Sequence, residues 1–171
     1  MLKESEIEMS KQIPLTQGKF ATVDDEDYDW LMQYKWCARI VSSSQIWYAC
    51  RKEKLNGKQH QQQMHRFITS APPSMVVDHK NGDGLDNRRS NIRLATAKQN
   101  ARNQRISKCN TSGYKGVSLG SDGKKFQARI RVNSRLIHLG TFDDIVEGAK
   151  AYNEAALKFF GEFASLNIIP E

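Results

Sequence analysis

The sequence predicts an α+β protein built of small antiparallel sheets, with little helix until near its end. Three observations carry that prediction. Short apolar or aromatic runs of period two, bounded by turn-forming steps such as Asn56-Gly57 and Pro72-Pro73, recur through the first seventy or so residues. Residues 76–103 compress a strand, a glycine-containing loop, a second strand and a helix start into one short stretch. Residues 113–169 then supply three strand-like runs and one amphipathic helix, the pattern of a three-stranded antiparallel sheet packed on a helix.

A chain of 171 residues, 39% of them hydrophobic, suffices for two small domains with their own cores. The expected organisation is a mobile leader (1–11), a first domain (12–104, β-rich over 12–75), a basic linker (105–112) and a second domain (113–169). No apolar run approaches the roughly 18 residues of a membrane span, and the polar, acidic start is unlike a secretory signal. A soluble, cytoplasmic protein with no membrane partner is therefore expected. Cys37, Cys50 and Cys109 are odd in number and never paired as C-x-x-C, which indicates neither a disulfide framework nor a zinc knuckle. The net charge of +7 is unevenly placed. Residues 76–135 hold fourteen bases against four acids, whereas residues 1–30 hold eight acids against three bases. A basic middle between acidic ends suits a polyanionic partner.

In order along the chain, Ile13 and Leu15, then Phe20, Thr22 and Val23, suggest two strands turned around Gly18. Asp24 or Asp25 is placed to cap a short helix whose first turn is acidic, as the helix dipole favours. Residues 36–41, 46–52 and 61–68 read as strands, with turns at 42–45 and at Asn56-Gly57. Arg51, Lys52, Lys54, Lys58 and the glutamines at 61–63 would lie on exposed faces, and His60 and His65 are assigned structural or backbone-contacting roles. A strand from Met75 ends at Asp78-His79. Asn81-Gly82 and Asp83-Gly84 are placed to supply left-handed turns. Ile92 and Leu94 would face inward, with Asn91 and Arg93 on the other face. Thr96 and Gln99 form a capping-box pattern, so a helix should begin near Ala97 and carry Asn100 and Arg102.

The Asp78-His79 pair, an Asn twelve residues after His79 and a helical Asn nine further on resemble the ββα-metal domain of HNH nucleases, in the H-N-N variant of phage and mobile-element homing endonucleases. That resemblance implies that His79 is the general base, that Asn91 holds its imidazole, and that Asp78 and Asn100 bind the catalytic cation. It also implies double-stranded DNA as substrate and 5′-phosphate and 3′-hydroxyl products. Elementary chemistry agrees with these roles. A histidine with an ordinary pKa of about 6.5 accepts a proton near neutral pH without a large shift. A carboxylate and an amide oxygen are hard ligands that favour Mg²⁺, with Mn²⁺ as the alternative, and no small-molecule cofactor is called for. Adjacent residues on a regular strand point to opposite faces, so Asp78 and His79 meet one phosphate only where the strand bulges or ends. A calcium loop of the EF-hand type is excluded, since no glutamate lies between Glu53 and Glu147.

Past the basic stretch that includes Arg105, runs at 114–119, 125–132 and 135–140 read as strands. A helix should then extend from about Asp143 to Phe160 and stop at Gly161. Tyr114-Lys-Gly-Val117, Phe126-Gln-Ala-Arg-Ile-Arg131, Leu139-Gly-Thr-Phe142, the Ala-Tyr-Asn of 151–153 and Ala164-Ser-Leu-Asn167 resemble the DNA-binding domain of plant ethylene-response factors. In that family the open sheet face enters the major groove. Lys115, Arg129, Arg131 and Arg135 are the matching or nearby basic positions, with Arg93, Arg102 and Arg105 as further DNA-binding residues. Ser118 and His138 depart from the plant pattern, so plant sequence preferences do not carry over. The expected function is a metal-dependent DNA endonuclease acting as monomer or homodimer, with nicking expected of a single site. The rival is a DNA-binding regulator that has lost cleavage.

Overall fold

The structure is a computed structural model that describes residues 9–41, 45–103, 106 and 110–170. The chain divides into two compact units, residues 1–97 and 98–171. The division falls just inside the short helix that the sequence assigns to the first domain.

The first unit opens with an antiparallel hairpin of β1 (Ser10–Pro14) and β2 (Phe20–Asp24), so β1 begins within the stretch read as leader. Ile13, Ala21 and Val23 alternate into the core, as period-two patterning requires. The hairpin tip docks on the next sheet, where Thr16 Oγ1 accepts from Ala38 N at 3.0 Å. Helix α1 (Asp25–Leu31) has Asp24 at its N-cap position, with Asp25, Glu26 and Asp27 in the first turn. The Asp24 carboxylate does not cap the helix; it accepts instead from Arg89 N at 2.7 Å.

A three-stranded sheet follows, made of β3 (Cys37–Val41), β4 (Ile46–Leu55) and β5 (Lys58–Gln63), with β4 central. Asn56 and Gly57 both take positive φ and close the β4–β5 hairpin as expected. The expected turn at 42–45 falls largely outside the described residues. Arg51 leaves the exposed set, because its guanidinium lies 4.0 Å over the Tyr34 ring and 4.3 Å over Phe67. The third strand is shorter than the sequence suggests. It ends at Gln63, and Met64–Thr69 form helix α2. The reason is visible in the pattern, since Met64 and Ile68 are both buried at i, i+4, a helical spacing. Arg66 then ties down the exit from α2 by donating to the carbonyls of Ala71, Pro72 and Met75.

Strands β6 (Val76–His79) and β7 (Ile92–Ala95) pair antiparallel in unbroken register, Asp78 opposite Arg93 and His79 opposite Ile92. Ile92 is buried as expected. Leu94 is not, being 39% exposed; the residue of β7 that closes the core is Ala95. The core of this unit gathers Ile13, Val23, Leu31, Trp36, Met64 and Ile92 from most of its elements.

In the second unit α3 (Ala97–Asn100) continues as one 3₁₀ turn over Ala101–Asn103. The sheet order is β10–β9–β8, from β8 (Val117–Leu119), β9 (Phe126–Val132) and β10 (Arg135–Phe142), all antiparallel. Helix α4 (Ile145–Phe160) covers one face, capped by Asp144, whose Oδ1 accepts from Val146 N at 2.9 Å. Tyr114 and Lys115 precede the sheet rather than opening it, because Gly116 turns the chain at φ 76°. A Cβ at Gly116 would lie 2.1 Å from the Tyr152 ring, so only glycine lets the chain pass there. Asn167 pins this turn by accepting from Lys115 N at 2.6 Å and donating to Lys115 O, while Asn153 fixes Asn167 in turn. Ala128, Ile130, Ala149, Tyr152 and Ala156 form the buried layer between sheet and helix.

Candidate active site

Asp78 and His79 end β6 inside the first unit, 4% and 6% exposed. They leave opposite faces of the regular ladder, and the strand stops at His79. On one face Asp78 Oδ2 accepts from Arg93 Nε at 2.9 Å and from Nη2 at 2.7 Å. Arg93, expected among the DNA-binding residues, is thus engaged in an ion pair with Asp78, the two side chains 11% and 4% exposed. On the other face the His79 ring sits in an aromatic corner. His65 meets it edge-on at 5.0 Å between ring centres, and Tyr48 lies 5.8 Å away.

The loop from 80 to 91 holds this arrangement from three sides. Its residues 85–87 bridge to β2, with Thr22 N donating to Leu85 O at 2.9 Å and Asn87 N to Thr22 O at 2.7 Å. Arg89 is clamped by Asp27, which accepts from Nε and Nη2, each at 2.8 Å. Gly84 lies against β4, where a Cβ would be 2.4 Å from Trp47 O and 2.6 Å from the Tyr48 ring. Of the two glycines expected in left-handed turns, only Gly82 adopts one. Gly84 is required by close approach instead.

Inside the loop the side chains bond mainly to one another. Asn91 Nδ2 donates to Asn81 Oδ1 at 3.0 Å and to Asp86 O at 2.8 Å, and its Oδ1 accepts from Asn81 N at 3.1 Å. Asp86 takes a two-point contact from Arg88, which holds its carboxyl below the usual range. The amide of Asn91, expected to hold the imidazole, organises the loop instead. The amide that faces His79 is Asn87, fully buried, with its Nδ2 donating to Leu85 O. Burial pushes the His79 pKa down, opposed by the Asn87 side chain and by the carboxylates of Asp78, Asp83 and Asp86. The neutral imidazole is therefore favoured, which is the form that accepts a proton.

His65, assigned a structural role from sequence, is 4% exposed with its pKa pushed down to about 3, chiefly by burial and then by His79 and Arg66. Its Nε2 lies 3.1 Å from Gln63 Oε1. Helical spacing of Met64, Phe67 and Ile68 is the signal that could have placed it on a helix facing His79. Asn100 belongs with the second unit. Among the described residues no three His, Cys, Asp or Glu side chains converge as a metal cluster.

In the second unit Arg129 and Arg131 are exposed on the sheet face away from α4, and the Arg129 guanidinium bonds Gln127 Oε1. Arg135 pairs with Val132 and so points to the opposite face. The Lys115 ammonium is turned onto Arg102 O at 2.9 Å, and the Arg102 guanidinium lies 4.7 Å over the Phe160 ring. Arg105 lies outside the described residues.

Residues 70–102, which span β6, the loop and β7, match the family described as HNH endonuclease. The chain is also 31% identical over 159 residues to an uncharacterized HNH endonuclease of Acanthamoeba polyphaga mimivirus, covering 90% of this chain and 77% of the viral protein. The chain belongs to the HNH endonuclease family. A second relative, Protein 3.8 of Escherichia phage T7, is 28% identical over 93 residues, covering 54% of this chain and 76% of the phage protein. This HNH endonuclease contains, among its described residues, no helix long and apolar enough to cross a membrane.

Proposed function

We propose that this HNH endonuclease hydrolyses phosphodiesters of double-stranded DNA with a divalent cation, most favourably Mg²⁺, and that its C-terminal unit is an ethylene-response-factor-like DNA-binding domain. The observation that carries the reading is the buried His79 at a strand end, faced by Asn87 and adjoining Asp78, on a loop fixed from three sides. His79 in its neutral form takes the proton from the attacking water. Asn87 positions the imidazole, and Asn91 positions it indirectly by holding the loop closed. His65 and Tyr48 pack against the ring, and His65, with its pKa pushed down by burial, brings no second charge to it. Asp78 would help hold the cation, which when bound would stabilise charge on the phosphoryl oxygens and on the departing sugar oxygen. The Arg93–Asp78 pair keeps the carboxylate in place until then. On the C-terminal unit, Arg129 and Arg131 on the open sheet face would read or grip the major groove. One site per chain cuts one strand, so a monomer nicks.

The test uses the full chain with supercoiled DNA. Wild type with Mg²⁺ or Mn²⁺ cleaves and is silenced by EDTA. His79→Ala lowers the cleavage rate by about 10²–10⁴-fold with little change in duplex affinity measured in EDTA. Cleavage by His79→Ala at the wild-type rate would overturn the assignment, and binding without any cleavage would favour the regulator reading.

A further inference from the structure

Within the second unit, between the 98–103 segment and the sheet, lies a cleft of about 480 Å³. Four cations line it, Lys98, Arg102, Lys115 and Arg131, over a floor that includes Tyr152 and Phe160. Among the described residues no Asp or Glu lines it. Such a grouping is electrostatically unfavourable, since like charges at close quarters repel. Two of the four are also held in place, Arg102 by stacking on Phe160 and Lys115 by its bond to Arg102 O. Burial of Lys115 lowers its pKa, so an incoming anion would relieve a cost already present.

We propose that this cleft, which meets the open sheet face at Arg131, is a second nucleic-acid contact that binds the phosphodiester backbone of duplex DNA. The proposal rests on the DNA-endonuclease reading and extends it by joining Lys98, Arg102 and Lys115 with Arg131 of β9 into one phosphate-binding cleft. A phosphodiester fits both parts of the site, its charge meeting the cations and its sugars lying on the aromatic floor. The volume falls within the roughly 300–1,000 Å³ of ligand-sized pockets, room for a phosphate with flanking sugars rather than for a lone ion.

The experiment measures affinity of the full chain for a labelled duplex by fluorescence anisotropy in EDTA, across a salt series. Lys98→Glu changes an exposed side chain and should leave thermal unfolding unchanged, while Lys98→Glu/Arg102→Gln removes two cations. Affinity should fall about tenfold or more for the double variant, and the slope of log K against log salt should become shallower by roughly 0.9 for each phosphate no longer neutralised. Lys158→Glu, an exposed lysine on α4, controls for charge in general, and Arg129→Gln reports the sheet face. If Arg129→Gln weakens binding and the cleft variants do not, the cleft proposal is overturned while the sheet-face reading stands. If none of them weakens binding, both fall. If Lys158→Glu acts as strongly as Lys98→Glu, a dedicated cleft is refuted. Pyrophosphate that binds wild type but not Lys98→Glu, with duplex affinity unchanged in the variant, would assign the cleft to a small phosphate compound and overturn a backbone contact.

Discussion

His65 shows what a single buried ring contributes at this site. Its pKa near 3 lies far below the ordinary 6.5, so the unfolded chain binds its proton more readily than the folded one. Folding stability is therefore full above about pH 6.5 and is lost as pH falls toward 3. In His65→Phe the ring remains but nothing titrates. The stability gap between wild type and His65→Phe, measured by urea unfolding, should move against wild type by about 2–3 kcal/mol between pH 6.5 and 4.5. A gap that stays constant with pH would show that His65 protonates freely in the folded state. The sequence displayed Asp78 and His79 clearly, because a carboxylate beside an imidazole ahead of a glycine loop is chemically distinctive. It did not separate Asn87 from Asn91. Both amides lie on the same loop, and spacing does not reveal which of them turns toward the ring. His65 was hidden by a different ambiguity, since Gln61 to Ile68 satisfies a strand pattern until Met64 and Ile68 are taken as a helical pair.

The 80–91 loop behaves as a part of the scaffold. Gly84→Ala would press a methyl into Trp47 O and the Tyr48 ring, which the backbone there cannot relieve by a rotamer change. We expect destabilisation of about 1–3 kcal/mol by urea unfolding, with cleavage impaired more than duplex binding. Arg89→Ala should cost about 1–3 kcal/mol as well, because it leaves the buried Asp27 carboxylate with only the Trp30 indole N–H, at 3.0 Å, of its described partners. The acidic cluster was legible as a helix start, and that part holds. Its partnership with Arg89 is a contact across more than sixty residues, and local sequence carries no trace of it.

At the scale of the molecule, the strand runs, the single long helix and its stop at Gly161 were legible because periodicity and turn residues are local signals. The dividing point between the units was not, because it depends on which side the 98–103 segment packs against. The hydrophobic clusters of the two units share no residue. Differential scanning calorimetry of the full chain should therefore resolve two transitions. Gly116→Ala, which drives a methyl into Tyr152 at a positive φ, should lower one of them and leave the other in place. A single transition displaced as a whole would show the units melting as one.

The bonds between Asn167 and Lys115 join positions 52 residues apart, at opposite ends of the second unit. A growing polypeptide offers Lys115 those partners only after Asn167 has been made. Residues up to 97, by contrast, hold all the elements of their own core well before that moment. Domains that emerge first fold first. The half that carries His79 is thus shaped while the ribosome is still working on the half that carries Arg129, and the arrival of Asn167 decides when the turn at Lys115 is complete.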